Sequence, residues 1–199
     1  MSDTVSIETQ KKELRRVARR ARAAAHEQHG AEAGRKLAAI GLEFAALADD
    51  AKVSGYVAIR DEIDPAILLK DLGQAGHPLA LPVVTGPGEA LYLAHWLHSD
   101  ALEVGDMGIP EPVADSGQAS VLADCMLVPL LAVDRRGYRL GYGGGFYDRT
   151  IEALQGVQPV TKIGLAFDEQ IVDAVPHDDY DQRLDWILTP SGPIKCQDF

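Results

Sequence analysis

Cysteine is nearly absent from this chain. Cys125 and Cys196 are the two in 199 residues, one in an apolar run and one in a polar tail, with no CxxC spacing. That excludes a disulfide framework and fits a reducing cytoplasm. Long apolar runs are missing too. No segment approaches the roughly 20 residues that span a bilayer, and the first residues are polar and then basic, without the apolar stretch of a signal peptide. The expectation is a soluble, untargeted, cytoplasmic chain. Positive charge is in deficit: the net charge is −11 and the pI about 4.9. Nucleic acid and anionic membrane both demand a positive surface field, so neither is expected as a partner. His95 and His98 have no third ligand at metal spacing, which excludes a transition-metal site, and His177 reads as a surface-loop histidine.

What is present is an ordinary globular composition, 46% hydrophobic and 25% charged, enough for one core and one domain over residues 1–199. The charge is unevenly spread. Seven of the 19 basic residues lie between Lys11 and Arg22; residues 1–25 carry seven Lys or Arg against three Asp or Glu, so −15 falls on the rest. A local cationic element on an acidic body suits one small anionic ligand. A nucleic-acid module built on this basic segment is the rival reading, opposed by the acidic remainder.

Apolar spacing predicts a basic amphipathic helix over 8–25, with Leu14, Val17, Ala18, Ala21 and Ala25 on its inner face, and a second helix over 31–48. Strands are predicted at 53–59, 79–84, 91–96, 126–133, 162–166 and 186–188. Helices are predicted at 64–74, capped by Asp64 with Pro65 first, and at 146–154. The alternation defines an α/β fold, a single-domain three-layer sandwich around a mainly parallel sheet. Residues 105–117, rich in Pro and Gly, read as a long ordered loop.

The most informative stretch is 128–149. Gly141, Gly143, Gly144 and Gly145 fall within five positions, after a buried strand and before a helix-compatible segment. Such a loop lets backbone N–H groups approach a ligand, and with the helix N-terminus it suits phosphate oxygens. Arg139 and Arg149 flank it with charged donors, and Asp148 offers a hard oxygen ligand for nucleotide-borne Mg²⁺. Neither the GxGxxG dinucleotide pattern nor the Walker A loop is matched, since Phe146 holds the sixth position and no Gly-Lys-Ser/Thr follows.

This stretch resembles the 5-formyltetrahydrofolate cyclo-ligases, whose pattern runs Pro, two apolar positions, Asp, Arg-Leu-Gly, a glycine core, two aromatics and Asp. Similar blocks cover nearly the whole chain. They are Lys11-Lys12-Glu13-Leu14-Arg15, Asp61-Glu62-Ile63-Asp64, Gly108-Ile109-Pro110-Glu111-Pro112, Gly164-Leu165-Ala166-Phe167-Asp168 through Pro176, and Asp185-Trp186-Ile187-Leu188-Thr189-Pro190. The resemblance implies a Rossmann-like fold shared with ribose-5-phosphate isomerase-like proteins. It also implies a monomer acting on ATP and 5-formyltetrahydrofolate, with Mg²⁺, to make 5,10-methenyltetrahydrofolate. By that resemblance ATP is bound by Lys11, Lys12, Arg15, Arg139, Leu140, Gly141, Tyr142, Gly143, Gly144, Gly145, Phe146 and Tyr147. The folate is bound by Val57, Glu62, Tyr142 and Phe146; the metal by Asp148 and Asp181; Arg139 and Glu62 are catalytic. Arg16, Arg20 and Arg22 are expected on a solvated face. Family members often carry basic residues where this chain has Tyr142 and Gly144, and two tyrosines where it has Phe146 and Tyr147, so the loop is expected to act through backbone amides. A nucleotide-binding paralogue with another task is the second reading, disfavoured by the intact Glu62 and 108–112 blocks.

Overall fold

The computed structural model describes residues 6–105, 107–113 and 119–197. It opens with α1, Ile7–Ile40, a single 34-residue helix where the sequence suggested two. Ser6 caps it by accepting the Thr9 N–H, and Gly41 ends it at φ 69°. The helix runs through Gly30 because both halves pack on one surface. Ala25, Ala33 and Leu37 are all nearly inaccessible, and this outweighs the ~1 kcal/mol that an interior glycine costs. The helix stops at residue 40 rather than 48. Phe44 and Leu47 still reach the core, but from a 3-10 turn, Glu43–Ala45, and the chain after it. Gly34 sits where α1 crosses the start of the next helix; a Cβ there would lie 2.6 Å from the Asp64 carbonyl oxygen.

Strand β1, Val53–Ser54, is shorter than the predicted 53–59, because the chain leaves the sheet after Gly55 and runs out over its end. Helix α2, Ala66–Gln74, follows, with Pro65 at the N-cap where the sequence implies Asp64, though the Asp64 carboxylate still accepts the Ala66 N–H. Next come β2 Leu79–Val83, β3 Tyr92–His95, and a hairpin of β4 Leu102–Val104 and β5 Pro110–Pro112. That hairpin occupies part of the predicted loop; residues 106 and 114–117 of it lie outside the described residues. The apolar run at 126–133 is two strands, β6 Cys125–Pro129 and β7 Ala132–Asp134. They belong to different sheets, since β7 pairs with β8 Arg139–Leu140 and β10 Ile171–Val172. Helix α3, Phe146–Gln155, β9 Thr161–Leu165 and β11 Trp186–Thr189 lie close to their predicted places, and β12 Gly192–Lys195 is an additional edge strand.

Among the described residues seven strands form the main sheet in the order β12-β11-β9-β6-β1-β2-β3. The four inner pairings are parallel and the two outer ones antiparallel. Strand alternation divides the core in two. Cys125 and Leu127 of β6, Leu79 and Leu81 of β2, and Leu188 of β11 face α1 and α2. Met126, Val128, Ala80 and Ile187 face the other side with Ile151 and Leu154 of α3. The result is the expected three-layer α/β sandwich with a mainly parallel sheet. Strand order reverses between β1 and β6, so their connections leave in opposite directions and open a crevice at the carboxyl ends, where doubly wound sheets take ligands. Among the described residues no helix is long and apolar enough to cross a membrane.

The β7–β8 turn, which delivers the glycine-rich segment, depends on one buried carboxylate. Asp134, 0% exposed, accepts the N–H groups of Arg136, Tyr138 and Val175 and pairs with the Arg136 guanidinium at 2.6 Å. Asp134→Ala is expected to lower unfolding free energy by about 3 kcal/mol, because three N–H groups and a cation lose their partner at once. The midpoint of urea unfolding measures it; a loss under about 1 kcal/mol contradicts this account.

Candidate active site

The crevice has two walls. One is the glycine-rich segment between β8 and α3. Gly143 at φ 106° and Gly145 at φ 68° take conformations that L side chains rarely adopt. A Cβ on Gly145 would also stand 2.6 Å from Arg149 Nη1. Gly145 sits at the α3 N-cap with no side-chain cap, the kind of helix N-terminus that can take an anion on its first N–H groups. The macrodipole adds to their pull.

The charged groups around this wall come from three places. Arg15 donates through Nε to the Gly141 carbonyl at 3.1 Å and lies 3.4 Å from where a Gly143 side chain would begin, while Glu8 stands 3.5 Å from its Nη1. Arg149 donates to the Gly144 and Glu89 carbonyls and covers the Phe146 ring. Arg139, 8% exposed, donates to Asp148 at 2.8 Å and to the Gln182 carbonyl. Asp148 also accepts the Gln182 N–H, at 3.0 Å. Lys11 bridges Asp178 at 2.9 Å and Asp181 at 2.6 Å, tying α1 to the acidic loop after β10. Burial pulls the Lys11 ammonium down, but the hydrogen bonds and charges of Asp181 and Asp178 win and hold it above its usual value.

Asp148 and Asp181 therefore converge on one stretch of backbone. Each engages one oxygen with a cation and an N–H. Among the described residues no cluster of three His, Cys, Asp or Glu offers an all-protein cage. Two carboxylates that each keep one oxygen free of these contacts fit Mg²⁺, which retains most of its water and takes few protein ligands.

The second wall is the connection after β1. Glu62, 5% exposed, accepts the Ile59 N–H at 3.0 Å. Burial pushes its carboxyl up, and the Ile59 N–H, Arg22 and Tyr142 offset only part of this. Val57 packs partly buried against the core beside it. Tyr142 leans across from the glycine wall, its ring near the Arg22 and Arg60 guanidiniums. Burial also raises the phenols of Tyr56 and Tyr147, and Glu62 adds to both.

Arg15, Arg139, Glu62, Tyr142, Phe146, Tyr147 and Asp148 thus lie on or against the two walls. Lys11 and Asp181 pair with each other on the 178–182 segment, where Asp181 lines a neighbouring cavity with Tyr138, Gln155 and Lys162. Lys12, one position on from Lys11 and about 100° further round the helix, is exposed and outside the crevice. Leu140 turns its side chain into a small cluster with Ala18, Leu131, Ala132 and Val175, leaving only its backbone toward the loop. Arg16 and Arg20 are exposed as expected, but Arg22 is not. The sequence placed it on a solvated face; it is 1% exposed, paired with Asp61 at 2.9 Å and donating to the Leu130 carbonyl. Its position, seven after Arg15 and eleven after Lys11, shares their helix face along with Ala18 and Ala25, and this spacing was the available signal. Asp178 and Gln182 were likewise unmarked, because nothing local shows which cation a charged loop will meet.

Fold and site together define an α/β protein whose crevice is lined by a glycine-rich loop at a helix N-terminus and by a buried acid, Glu62. The profile of the 5-formyltetrahydrofolate cyclo-ligase family matches residues 7–190, and the chain belongs to that family. It is 36% identical over 145 residues to the 5-formyltetrahydrofolate cyclo-ligase of Escherichia coli K12, covering 70% of this chain and 78% of that one. It is 34% identical over 147 residues to the Mycolicibacterium smegmatis cyclo-ligase, covering 71% and 75%. The solved structure of the Aquifex aeolicus 5,10-methenyltetrahydrofolate synthetase superposes with a TM-score of 0.75 at 30% identity, over 95% of this chain and 94% of that one.

The strained glycines yield a direct expectation. Gly145→Ala places a side chain at φ 68° against Arg149, which costs about 1 kcal/mol of stability and displaces the donors that close on an anion. Titration calorimetry with tripolyphosphate is expected to show at least about tenfold weaker binding than the parent, the worth of one lost charge-assisted hydrogen bond. Equal affinity means that the loop is a turn without a ligand.

Proposed function

We propose that this enzyme converts 5-formyltetrahydrofolate to 5,10-methenyltetrahydrofolate, using one ATP and releasing ADP and phosphate. The observation that carries the reading is the pairing of walls across the β1/β6 crevice. One is a glycine loop and uncapped helix N-terminus suited to phosphates; the other is a buried acid, Glu62, suited to the donor-rich edge of a reduced pterin. Membership of the cyclo-ligase family supports it.

In the proposed reaction the formyl oxygen on N5 attacks the γ-phosphorus. An O–P bond forms and the bond to ADP breaks, leaving an N5-iminium phosphate. N10 then attacks the iminium carbon, loses its proton, and phosphate departs with the former formyl oxygen. An amide oxygen leaves poorly until it is phosphorylated, which is why ATP is consumed. Catalysis of such a transfer is mostly alignment and charge neutralisation.

The residues divide this work by position. Backbone N–H groups from Gly141 to Tyr147 cradle the phosphates, and Arg15 lies close enough to the loop to meet the outer ones. Lys11 supplies a second cation from the same helix face, once it exchanges Asp178 for phosphate. Asp148 and Asp181 would hold Mg²⁺, which when bound neutralises phosphate charge. Arg139, already committed to Asp148, orients that carboxylate. Glu62 and Tyr142 orient the pterin, with Val57 and Phe146 supplying apolar contact. Tyr142 and Gly144 bring no positive charge to the loop, so that charge comes from α1 and β8 instead.

Purified protein with MgATP and 5-formyltetrahydrofolate is expected to build the methenyl chromophore, with one ADP formed per product; no chromophore sinks the reading. Substrate carrying ¹⁸O in the formyl group should deliver the label to inorganic phosphate. Glu62→Gln is expected to lower kcat/KM for the folate by about 10- to 100-fold, the worth of a charge-assisted hydrogen bond, with the KM for ATP nearly unchanged. A selective rise in the ATP KM would place Glu62 on the wrong substrate.

A further inference from the structure

The floor of the crevice is closed by a residue that the reaction scheme above does not use. Arg22 comes up from α1 at the point where strand order reverses. Its Nε and Nη2 donate to Asp61 at 3.2 and 2.9 Å, on the connection after β1. Its Nη1 donates to the Leu130 carbonyl at 3.2 Å, on the connection after β6, and stands 3.6 Å from Glu62 Oε1. Its Nη2 also donates to the Tyr142 hydroxyl on the glycine wall. One guanidinium thus touches α1's two neighbouring connections and the loop. A planar group with five donors in a fixed fork can do this; an ammonium cannot.

We propose that Arg22 is a positioning residue for the cyclo-ligase reaction, holding the Glu62 carboxylate and the Tyr142 side chain in one fixed relation so that the folate wall and the phosphate wall keep a common geometry. The inference rests on the reading of the two walls given above. Stability alone is a poor reason for a cation at 1% exposure, because burying an ion pair costs as much as it returns and an apolar residue fills such a site equally well. What the guanidinium adds is direction at four acceptors in three segments.

Arg22 also favours the ionised form of Glu62, against burial, which raises its carboxyl. The titratable groups that act on it are Arg22 from α1, Tyr56 and Asp61 from its own connection, Tyr142 from the loop and Tyr147 from α3, while His26 acts on Asp61, Asp64 on Tyr56, and Arg60 stands over the Tyr142 ring. Burial and Asp61 push the Glu62 carboxyl up, while the Ile59 N–H, Arg22 and Tyr142 pull it down, and Arg22 is the nearest full positive charge. Removing that charge must raise the carboxyl further, since a neighbouring cation favours the ionised form.

The test uses the full-length enzyme with ¹³C-carboxyl glutamate, the Glu62 resonance being identified by its loss in Glu62→Gln. In Arg22→Gln the Glu62 midpoint is expected to rise by about one unit or more, and the acid limb of kcat/KM for the folate to move with it. Arg22→Lys restores the charge, and hence the midpoint, but not the fork, so kcat/KM stays at least about tenfold below the parent. An unchanged Glu62 midpoint in Arg22→Gln, or full activity in Arg22→Lys, overturns the proposal. If neither Arg22 variant folds, Tyr142→Phe decides. It deletes only the hydroxyl that receives the guanidinium, and is expected to lower kcat/KM about fivefold or more with an unchanged thermal midpoint, given the modest worth of one hydrogen bond; parent kinetics overturn the proposal. A parent enzyme that makes no methenyl product sinks the cyclo-ligase reading. A parent that turns over while Glu62 is indifferent to Arg22 sinks this inference alone.

Discussion

A parallel sheet whose strand order reverses must part its connections at the reversal, and in this chain carbonyl and carboxylate acceptors line the gap. Here the gap lies between β1 and β6, and the Arg22 guanidinium fills it, facing Asp61, Glu62, the Leu130 carbonyl and Tyr142. Much of the site hangs on that contact. Burial works against the arginine's charge, but Asp61 and Tyr142 outweigh it and hold the guanidinium protonated. Burial likewise works against the Asp61 carboxylate, and Arg22 outweighs it in turn.

The length of α1 follows from the same requirement. A helix of 34 residues lies across one face of the sheet, so its N-terminal half can reach the crevice while its C-terminal half is seated on the core through Ala33 and Leu37. Lys11, Arg15 and Arg22 are carried on one rigid body. Lys11 meets the acidic loop, Arg15 the glycine loop and Arg22 the crevice floor. The anionic body and the cationic segment are thus two sides of one arrangement, in which local positive charge is set into a chain of net charge −11.

In the proposed function the glycine wall lacks cationic side chains of its own and meets the anion through its backbone. Tyr142 and Gly144 leave the loop itself neutral, and Gly143 and Gly145 take positive φ, so its donors would be backbone N–H groups. The cations stand one layer back, where other segments hold them: Arg15 on Gly141, Arg139 on Asp148, Arg149 on Gly144. In the proposed mechanism this lets charge be rearranged by exchanging partners, Lys11 from Asp178 to phosphate, without reshaping the loop.

Much of this was legible in the chain itself. Glycine spacing after an apolar run marked the loop, alternation of apolar segments marked the three-layer fold, and Asp64 marked the start of α2, because each depends on neighbours a few residues away. The 126–133 run could not be divided into β6 and β7 from sequence, since both pieces are apolar and only their pairing with β9 or with β8 and β10 separates them. The early end of β1 is of the same kind. Arg22 is the clearest case. Composition and helix propensity treat it like Arg16 and Arg20, and only its rotation about the helix axis hints otherwise. Local chemistry determined that this chain carries a glycine-rich loop before a helix, an acidic motif after a strand and a basic helix. Tertiary structure decided which of the basic residues is buried, because burial of a charge depends on partners that arrive from 39 and 120 residues away.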